Sequence, residues 1–131
     1  MEDTGVTWIV TADANSARIF AEPARSGPVR ELADLHMTAH GDELQQHAHH
    51  DSGHTGEAKF LRRVANRIAL GEAGGEFERL VLMASPRALG LLKAALPPAV
   101  AVKIDATDAH DRIHDNAEAV RRDLQRARAH A

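Results

Sequence analysis

Histidines that could bind a metal ion are concentrated in residues 47–54, which read HAHHDSGH. The string contains His-x-His-x-Asp, a spacing that holds zinc in metallo-hydrolases. The candidate ligands are His47, His49, His50 and His54. Neutral imidazole is a good ligand for Zn²⁺ and for Ni²⁺, and binding would depend on pH because the imidazoles must first lose their protons.

The surroundings of this string argue against a catalytic zinc centre. Metallo-β-lactamase-like enzymes place a His directly after the Asp, whereas Ser52 follows Asp51 here. Those enzymes also take His ligands from distant parts of a larger double sheet, for which 131 residues leave no room. We therefore expect no resident cofactor and interpret the string as a solvated His-rich loop, with Zn²⁺ or Ni²⁺ binding left open.

Two aspartates could support a different metal chemistry. Asp13 follows the first predicted strand and Asp105 the last, so together they could hold Mg²⁺ at one edge of a sheet. Such nuclease sites need at least three close carboxylates, and the sequence places no third one. An Asp in a turn also accepts hydrogen bonds from nearby backbone N–H groups, and we favour this role for Asp13.

Basic residues along the first predicted helix could contact RNA phosphates together with the arginines near the C-terminus. They are Lys59, Arg62, Arg63 and Arg67. Acidic residues such as Glu57, Glu118 and Asp123 lie among them, which is typical of a solvated polar face, and we favour that interpretation.

Composition predicts one domain, residues 1–131, of a soluble globular class. A net charge of −3 disfavours bulk attraction to nucleic acid but permits a local basic face. With no Cys there is no disulfide and no thiolate zinc site. The N-terminus lacks signal-peptide features and no apolar run approaches the ~20 residues of a membrane span, so we expect a cytoplasmic location.

The elements that must position these residues begin with a hairpin, from strands at 6–12 and 17–21 around the turn at Asp13. A third strand is expected at 29–36. A long His-rich loop follows at about 37–56, in which five of the nine His lie. A connection of this length is usually functional or mobile.

Helical spacing starts after Thr55, the expected N-cap, and Gly71 with the Gly74-Gly75 pair should end that helix. A strand is predicted at 77–84. Ser85 before Pro86 predicts the start of the next helix, which should run to Leu96. The remaining predicted elements are a strand at 99–104 and a helix opening at Thr107 or Asp108.

The resulting order is β-β-β-loop-α-β-α-β-α, an α/β fold with a mixed five-stranded sheet, as in ribonuclease-H-like folds. Its opening strands should be antiparallel, and its last two, reached through helical crossovers, parallel. Strand ends at one edge should then gather Asp13, His36 with the loop after it, Ser85 and Asp105. Ligands of α/β sheets favour that edge.

Three stretches resemble the bacterial host attachment protein family: WIVTADANSARIF (8–20), EAKFLRRVANRIAL (57–70) and LVLMASPRALGLLK (80–93). The resemblance extends over nearly the whole chain. Where the family has a Lys-Asp-Leu-Thr-like run after its last strand, this chain has IDATDAHD (104–111), with Asp105 and Thr107 as the remaining matches.

That family is in turn similar to the middle domain of the eukaryotic and archaeal class-one release factors, whose Gly-Gly-Gln loop triggers peptidyl-tRNA hydrolysis. The corresponding stretch here is SGHTGEAKF (52–60), and Gly-Gly-Gln is absent. The resemblance therefore implies the scaffold without the release chemistry.

Three functions stay open at this point. The first is a non-enzymatic module that binds ribosomes, tRNA or other RNA through the 37–56 loop. The second is a metal-dependent hydrolase acting on RNA or peptidyl-tRNA, which needs Asp13, Asp105 and loop histidines to converge. The third is an interaction domain for another protein or for a second copy of itself. Of these we favour the non-enzymatic module.

Overall fold

The computed structural model describes residues 5–44 and 52–131. The strands are β1 (Thr7–Ala12), β2 (Ser16–Glu22), β3 (Arg30–Glu31), β4 (Met37–Thr38), β5 (Arg79–Met83) and β6 (Ile104–Asp108). The α-helices are α1 (Ser52–Ala73), α2 (Pro86–Ala95), α3 (Pro98–Ala101) and α4 (Ala117–Ala129). Short 3-10 turns cover Ala33–Leu35 and Gly41–Glu43.

One mixed sheet organises the molecule, in the order β3-β2-β1-β5-β6 with β4 also pairing with β2. The pair β1–β2 is the predicted antiparallel hairpin. The pairs β1–β5 and β5–β6 are parallel, as expected for strands joined by helical crossovers. The mixed α/β class predicted from the sequence is confirmed.

The central strand β1 is buried on both faces, so each face of the sheet carries helices. Trp8 and Val10 point to the core shared with α1, α2 and α3. Ile9 points to the opposite core, where Val120 and Leu124 of α4 cover the sheet. Alternate residues of a strand face opposite sides, so this one strand joins the two cores.

The prediction of a single third strand at 29–36 is wrong. Within that range only β3 is a strand, and the 3-10 turn at Ala33–Leu35 follows it. The next strand, β4, lies in the stretch that was expected to be a loop from about 37 to 56, and that stretch also contains the second 3-10 turn and the start of α1. Leu32 and Leu35 both pack against the core beneath α1. In a straight strand residues three apart face opposite sides, so the turn is what brings both leucines to one core.

The region after α2 also differs from the prediction. The expected strand at 99–104 starts as the helical turn α3, and β6 begins only at Ile104. Pro98 occupies the first position of that turn, where its missing N–H costs nothing. A short apolar run such as AVAV is compatible with a buried helix as well as with a strand, so periodicity alone could not distinguish the two.

Helix starts were predicted unevenly. The α2 helix begins at Pro86 directly after Ser85, as expected, although the Ser85 hydroxyl makes no capping hydrogen bond. The α1 helix begins at Ser52, before the expected N-cap Thr55. The α4 helix begins at Ala117, well after Asp108, because Asn116 caps it by accepting from the Ala119 N–H at 2.9 Å.

Candidate functional site

The His-rich segment leaves the sheet through the 3-10 turn at Gly41–Glu43, which is bonded to α1. Arg63 on α1 donates from Nε and Nη2 to the two carboxylate oxygens of Glu43, at 2.8 and 2.9 Å. Arg63 Nη2 also donates to the Thr38 carbonyl at 2.7 Å. The hydrogen bonds that Arg63 donates to the Glu43 carboxylate lower the pKa of this nearly buried group to about 2.

Two further contacts hold the residues that precede the His-rich string against the residues of α1 that follow it. Lys59 on α1 pairs with Asp42 at the surface. The backbone of Gly56 lies so close to the Glu43 carbonyl that a Cβ there would be 2.7 Å from its oxygen. We call Asp42, Glu43, Lys59 and Arg63 the stem, because they join the two chain ends that flank the His-rich string.

Three of the candidate metal ligands, His47, His49 and His50, lie outside the described residues, as does the side chain of His54. Zn²⁺ or Ni²⁺ binding by them stays a prediction. Among the side chains that the structure describes, no group of three His, Asp or Glu residues is arranged to hold a metal ion.

The basic candidates on α1 are largely occupied by acidic partners. Lys59 and Arg63 belong to the stem, and Arg67 Nη2 lies 3.8 Å from Glu76 while its guanidinium lies over the Trp8 ring. Arg62 is exposed and lines a shallow surface pocket against α2. The structure therefore places the four residues along one helix without joining them into an open cationic patch.

Asp13 and Asp105 are not brought together. Asp13 follows β1 and its Oδ1 accepts from the Asn15 and Ser16 N–H groups, both at 2.8 Å, which closes the hairpin turn. Asp105 lies near the start of β6 because that strand begins at Ile104. Since β1 and β6 run in the same direction, the two carboxylates belong to opposite edges of the sheet.

Asp105 belongs instead to a charged network at the amino end of β1. Arg128 on α4 donates from Nε to Asp105 at 3.0 Å and from Nη2 to the Thr7 hydroxyl at 3.1 Å. The same guanidinium bonds both oxygens of Glu22, a fully buried carboxylate. Burial raises the pKa of Glu22, but hydrogen bonds from Arg128 outweigh it and leave that pKa below its ordinary value.

A group that the sequence did not predict lies at the carboxyl end of β6. Asp108 Oδ1 lies 2.6 Å from His110 Nδ1, and Asp108 Oδ2 accepts from Arg112 Nε at 2.9 Å. Burial raises the pKa of Asp108, but hydrogen bonds from His110 and Arg112 outweigh it and lower the pKa overall. The Asp-x-His-x-Arg spacing at 108–112 could have indicated this group from the sequence. It was not recognised because the last helix was expected to begin at Thr107 or Asp108.

Beside this group lies a pair of carboxyls. Asp123 of α4 is buried and pairs with Arg126, and its Oδ2 is 3.8 Å from Arg112 Nε. Burial, and next the neighbouring carboxyl of Asp115, raise the pKa of Asp123 to about 6. The pair therefore retains a proton at mildly acidic pH.

The arrangement of sheet and helices is shared with a protein of known structure. The fold of this chain is similar to that of the archaeal translation termination factor aRF1, with a TM-score of 0.56 and 10% sequence identity. The match covers 95% of this chain and 39% of that chain, so this protein spans less than half the length of the factor. At this identity the likeness establishes the fold alone.

The sequence then identifies the family. Residues 35–124, more than half of the chain, match the family described as "Protein required for attachment to host cells", and this protein belongs to that family. The resemblance noted from the sequence is thus confirmed. No curated protein matches the chain significantly. No helix in the described part of the chain is both long enough and apolar enough to span a membrane.

Proposed function

We propose that this protein is a non-enzymatic module that binds the ribosome or RNA, and that it presents to its target the His-rich segment between Glu43 and Gly56, within the loop expected at about 37–56. Two findings support the proposal. The scaffold is similar to that of a translation termination factor over nearly all of this chain. The stem joins the ends of the segment on the side of the sheet covered by α1.

The stem is the observation on which the proposal depends most. Glu43 is 8% exposed in its side chain and is bonded at two points by Arg63, so the start of the segment is fixed to α1. A contact segment that is fixed at its base loses less conformational entropy on binding. The sequence contains no Gly-Gly-Gln, so the chemistry of release does not accompany the scaffold.

The charge of the protein constrains how such a contact would work. With a formal net charge of −3, long-range attraction to a phosphate backbone is weak. Affinity would then come from local groups such as exposed Arg62 and the histidines of the segment. Binding through such groups should weaken as salt increases, in proportion to the number of phosphates that they contact, because phosphate contacts release counterions.

Co-sedimentation of the purified protein with ribosomes, repeated across a salt series, tests this proposal. The variant carries His47→Ala, His49→Ala, His50→Ala and His54→Ala together. The control carries His114→Ala, an exposed histidine in the loop that precedes α4. Urea unfolding midpoints of all three proteins should agree, so that any loss of binding reflects the surface.

We expect binding that decreases with salt and that is lost in the four-histidine variant alone. Equal binding by all three proteins would retain the ribosome as partner and remove the His-rich segment as its contact. Absence of binding by the wild type would overturn the proposal. A second protein chain or a second copy of this chain would then be the partner to test.

A further inference from the structure

We propose that a cavity beside β6 binds a phosphoryl group. The cavity has a volume of about 350 Å³ and lies between the carboxyl end of β6 and the last turns of α4. Two arginines and two histidines line it, and Asp108 is the carboxylate among its lining residues. The four are His110, Arg112, Arg126 and His130. This site is separate from the stem and goes beyond the proposed function.

Asp108 orients the site without repelling an anion. Its side chain is 11% exposed, and each of its oxygens already has a cationic or titratable partner, His110 on one side and Arg112 on the other. A carboxylate neutralised in this way contributes little negative potential to the cavity. It also fixes the imidazole and the guanidinium in place.

The arginines keep unused donors. Arg112 bonds Asp108 through Nε, and within the described residues its Nη groups donate no hydrogen bond. Arg126 pairs with the buried Asp123 through Nη2 and its side chain is 59% exposed, which leaves Nη1 for a ligand. Guanidinium groups offer planar sets of N–H donors that match phosphate oxygens.

The two histidines are anchored through the same ring atom. Nδ1 of His130 lies 2.9 Å from the Arg126 carbonyl, which can only accept, so this nitrogen carries the proton. Nδ1 of His110 carries a proton for the same reason, because it faces the Asp108 carboxylate. In both rings Nε2 stays available, and in the imidazolium form it donates to an anion.

Phosphoryl groups fit this donor set better than metal ions do. A cation would meet two guanidinium groups in the cavity, whereas a phosphate would meet their N–H donors. The ligand could be the backbone of RNA or a small phosphate compound, since both present the same oxygens. The experiment therefore uses inorganic phosphate, AMP and a single-stranded octauridylate as separate probes.

The test is a titration of the full chain followed by NMR of the imidazole and backbone amide signals. We expect phosphate to shift the signals of His110 and His130. The Arg126→Gln variant should bind phosphate roughly fivefold more weakly or worse, from the loss of one exposed charge-assisted contact. Arg122→Gln is the matched control, because Arg122 is an exposed arginine of the same helix outside the cavity lining.

His110→Ala provides a second variant, since the side chain of His110 is 70% exposed and its loss should not prevent folding. It should weaken phosphate binding as Arg126→Gln does. Octauridylate binding that phosphate displaces would identify RNA as the source of the ligand. Binding of phosphate and AMP without octauridylate would identify a small molecule.

The proposal is overturned if no probe shifts these histidines in the wild type. It is also overturned if Arg122→Gln weakens binding as much as Arg126→Gln, which would indicate general electrostatic attraction only. The outcome does not depend on ribosome co-sedimentation with the His-rich variant, so failure of one proposal leaves the other standing.

Discussion

Arg128, near the end of α4, donates hydrogen bonds to both carboxylate oxygens of Glu22 on β2, at 2.8 and 2.9 Å, across a sequence separation of 106 residues. The side chains are 17% and 2% exposed. This pair joins the last helix to the first hairpin at the amino end of β1. Asp105 and Thr7, which the same guanidinium reaches, complete the network.

Replacing Arg128 should therefore be costly. Arg128→Met leaves the Glu22 carboxylate buried without its partner, and we expect the free energy of unfolding to fall by about 3 kcal/mol. Urea unfolding followed by the fluorescence of the single tryptophan, the buried Trp8, measures this. Arg122→Met is the control and should change stability by less than about 0.5 kcal/mol. Equal losses in both variants would show that the pair with Glu22 does not stabilise the fold.

Two helical glycines should respond in opposite directions to the same substitution. A Cβ at Gly71 would lie 2.5 Å from Cη2 of Trp8, a rigid buried ring that packs on Phe77. We expect Gly71→Ala to lower the free energy of unfolding by about 1–3 kcal/mol through overpacking, despite its better helix propensity. Gly90→Ala in α2 meets nothing within 4 Å and should raise stability by about 0.5–1 kcal/mol. Equal stabilisation of both variants, measured by urea unfolding, would contradict this packing.

The stem should be sensitive to pH through Glu43. The folded-state pKa of Glu43 is about 2, below the unfolded value, so its contribution is present above about pH 4.5 and is lost as pH falls toward 2. We expect Glu43→Gln to lower the free energy of unfolding by about 2 kcal/mol at pH 7.

Urea midpoints of wild type and Glu43→Gln at pH 7 and pH 3 check this, and the gap should narrow at pH 3. Lys59→Gln is the control, because it removes only the exposed pair with Asp42 and should leave the midpoint unchanged. A gap of the same size at both pH values would mean that the Glu43 carboxylate does not stabilise the fold.

The carboxyl pair of Asp115 and Asp123 should make the stability of the fold depend on pH in the opposite direction to Glu43. The folded-state pKa of Asp123 is raised to about 6, above its unfolded value, so the native state binds an extra proton and stability falls as pH rises from about 4 to 6. Asp115→Asn removes the neighbouring negative charge and should raise the free energy of unfolding by about 1 kcal/mol at pH 7.5.

Thermal unfolding of wild type and Asp115→Asn between pH 4.5 and 7.5 measures this effect. The difference should disappear toward pH 4.5, where the wild-type pair holds its proton. Asp111→Asn, which lies in the same loop and is exposed, serves as control. If Asp115→Asn were destabilising at pH 7.5, the two carboxyls would not share a proton.

Local sequence signals predicted an element correctly where the signal was compatible with only one kind of secondary structure. The hairpin turn at Asp13, the helix start at Ser85-Pro86 and the apolar strand before it were predicted close to their observed positions. The parallel pairing of β1, β5 and β6 was predicted from the helical crossovers that lead into β5 and β6. Residues 98–108 were misassigned because AVAV fits either a helix or a strand when it is buried.

The amino-acid sequence by itself determined the mixed α/β class, the family and the absence of Gly-Gly-Gln, because these depend on local patterns and on residue identity. Only the tertiary structure decided which charged groups meet. Arg128 of α4 meets Asp105 of β6 and Glu22 of β2 at one edge of the sheet, because β6 begins at Ile104 and α4 packs on the sheet beside it. Such partners depend on strand register and on helices distant in sequence, which no local pattern of residues encodes.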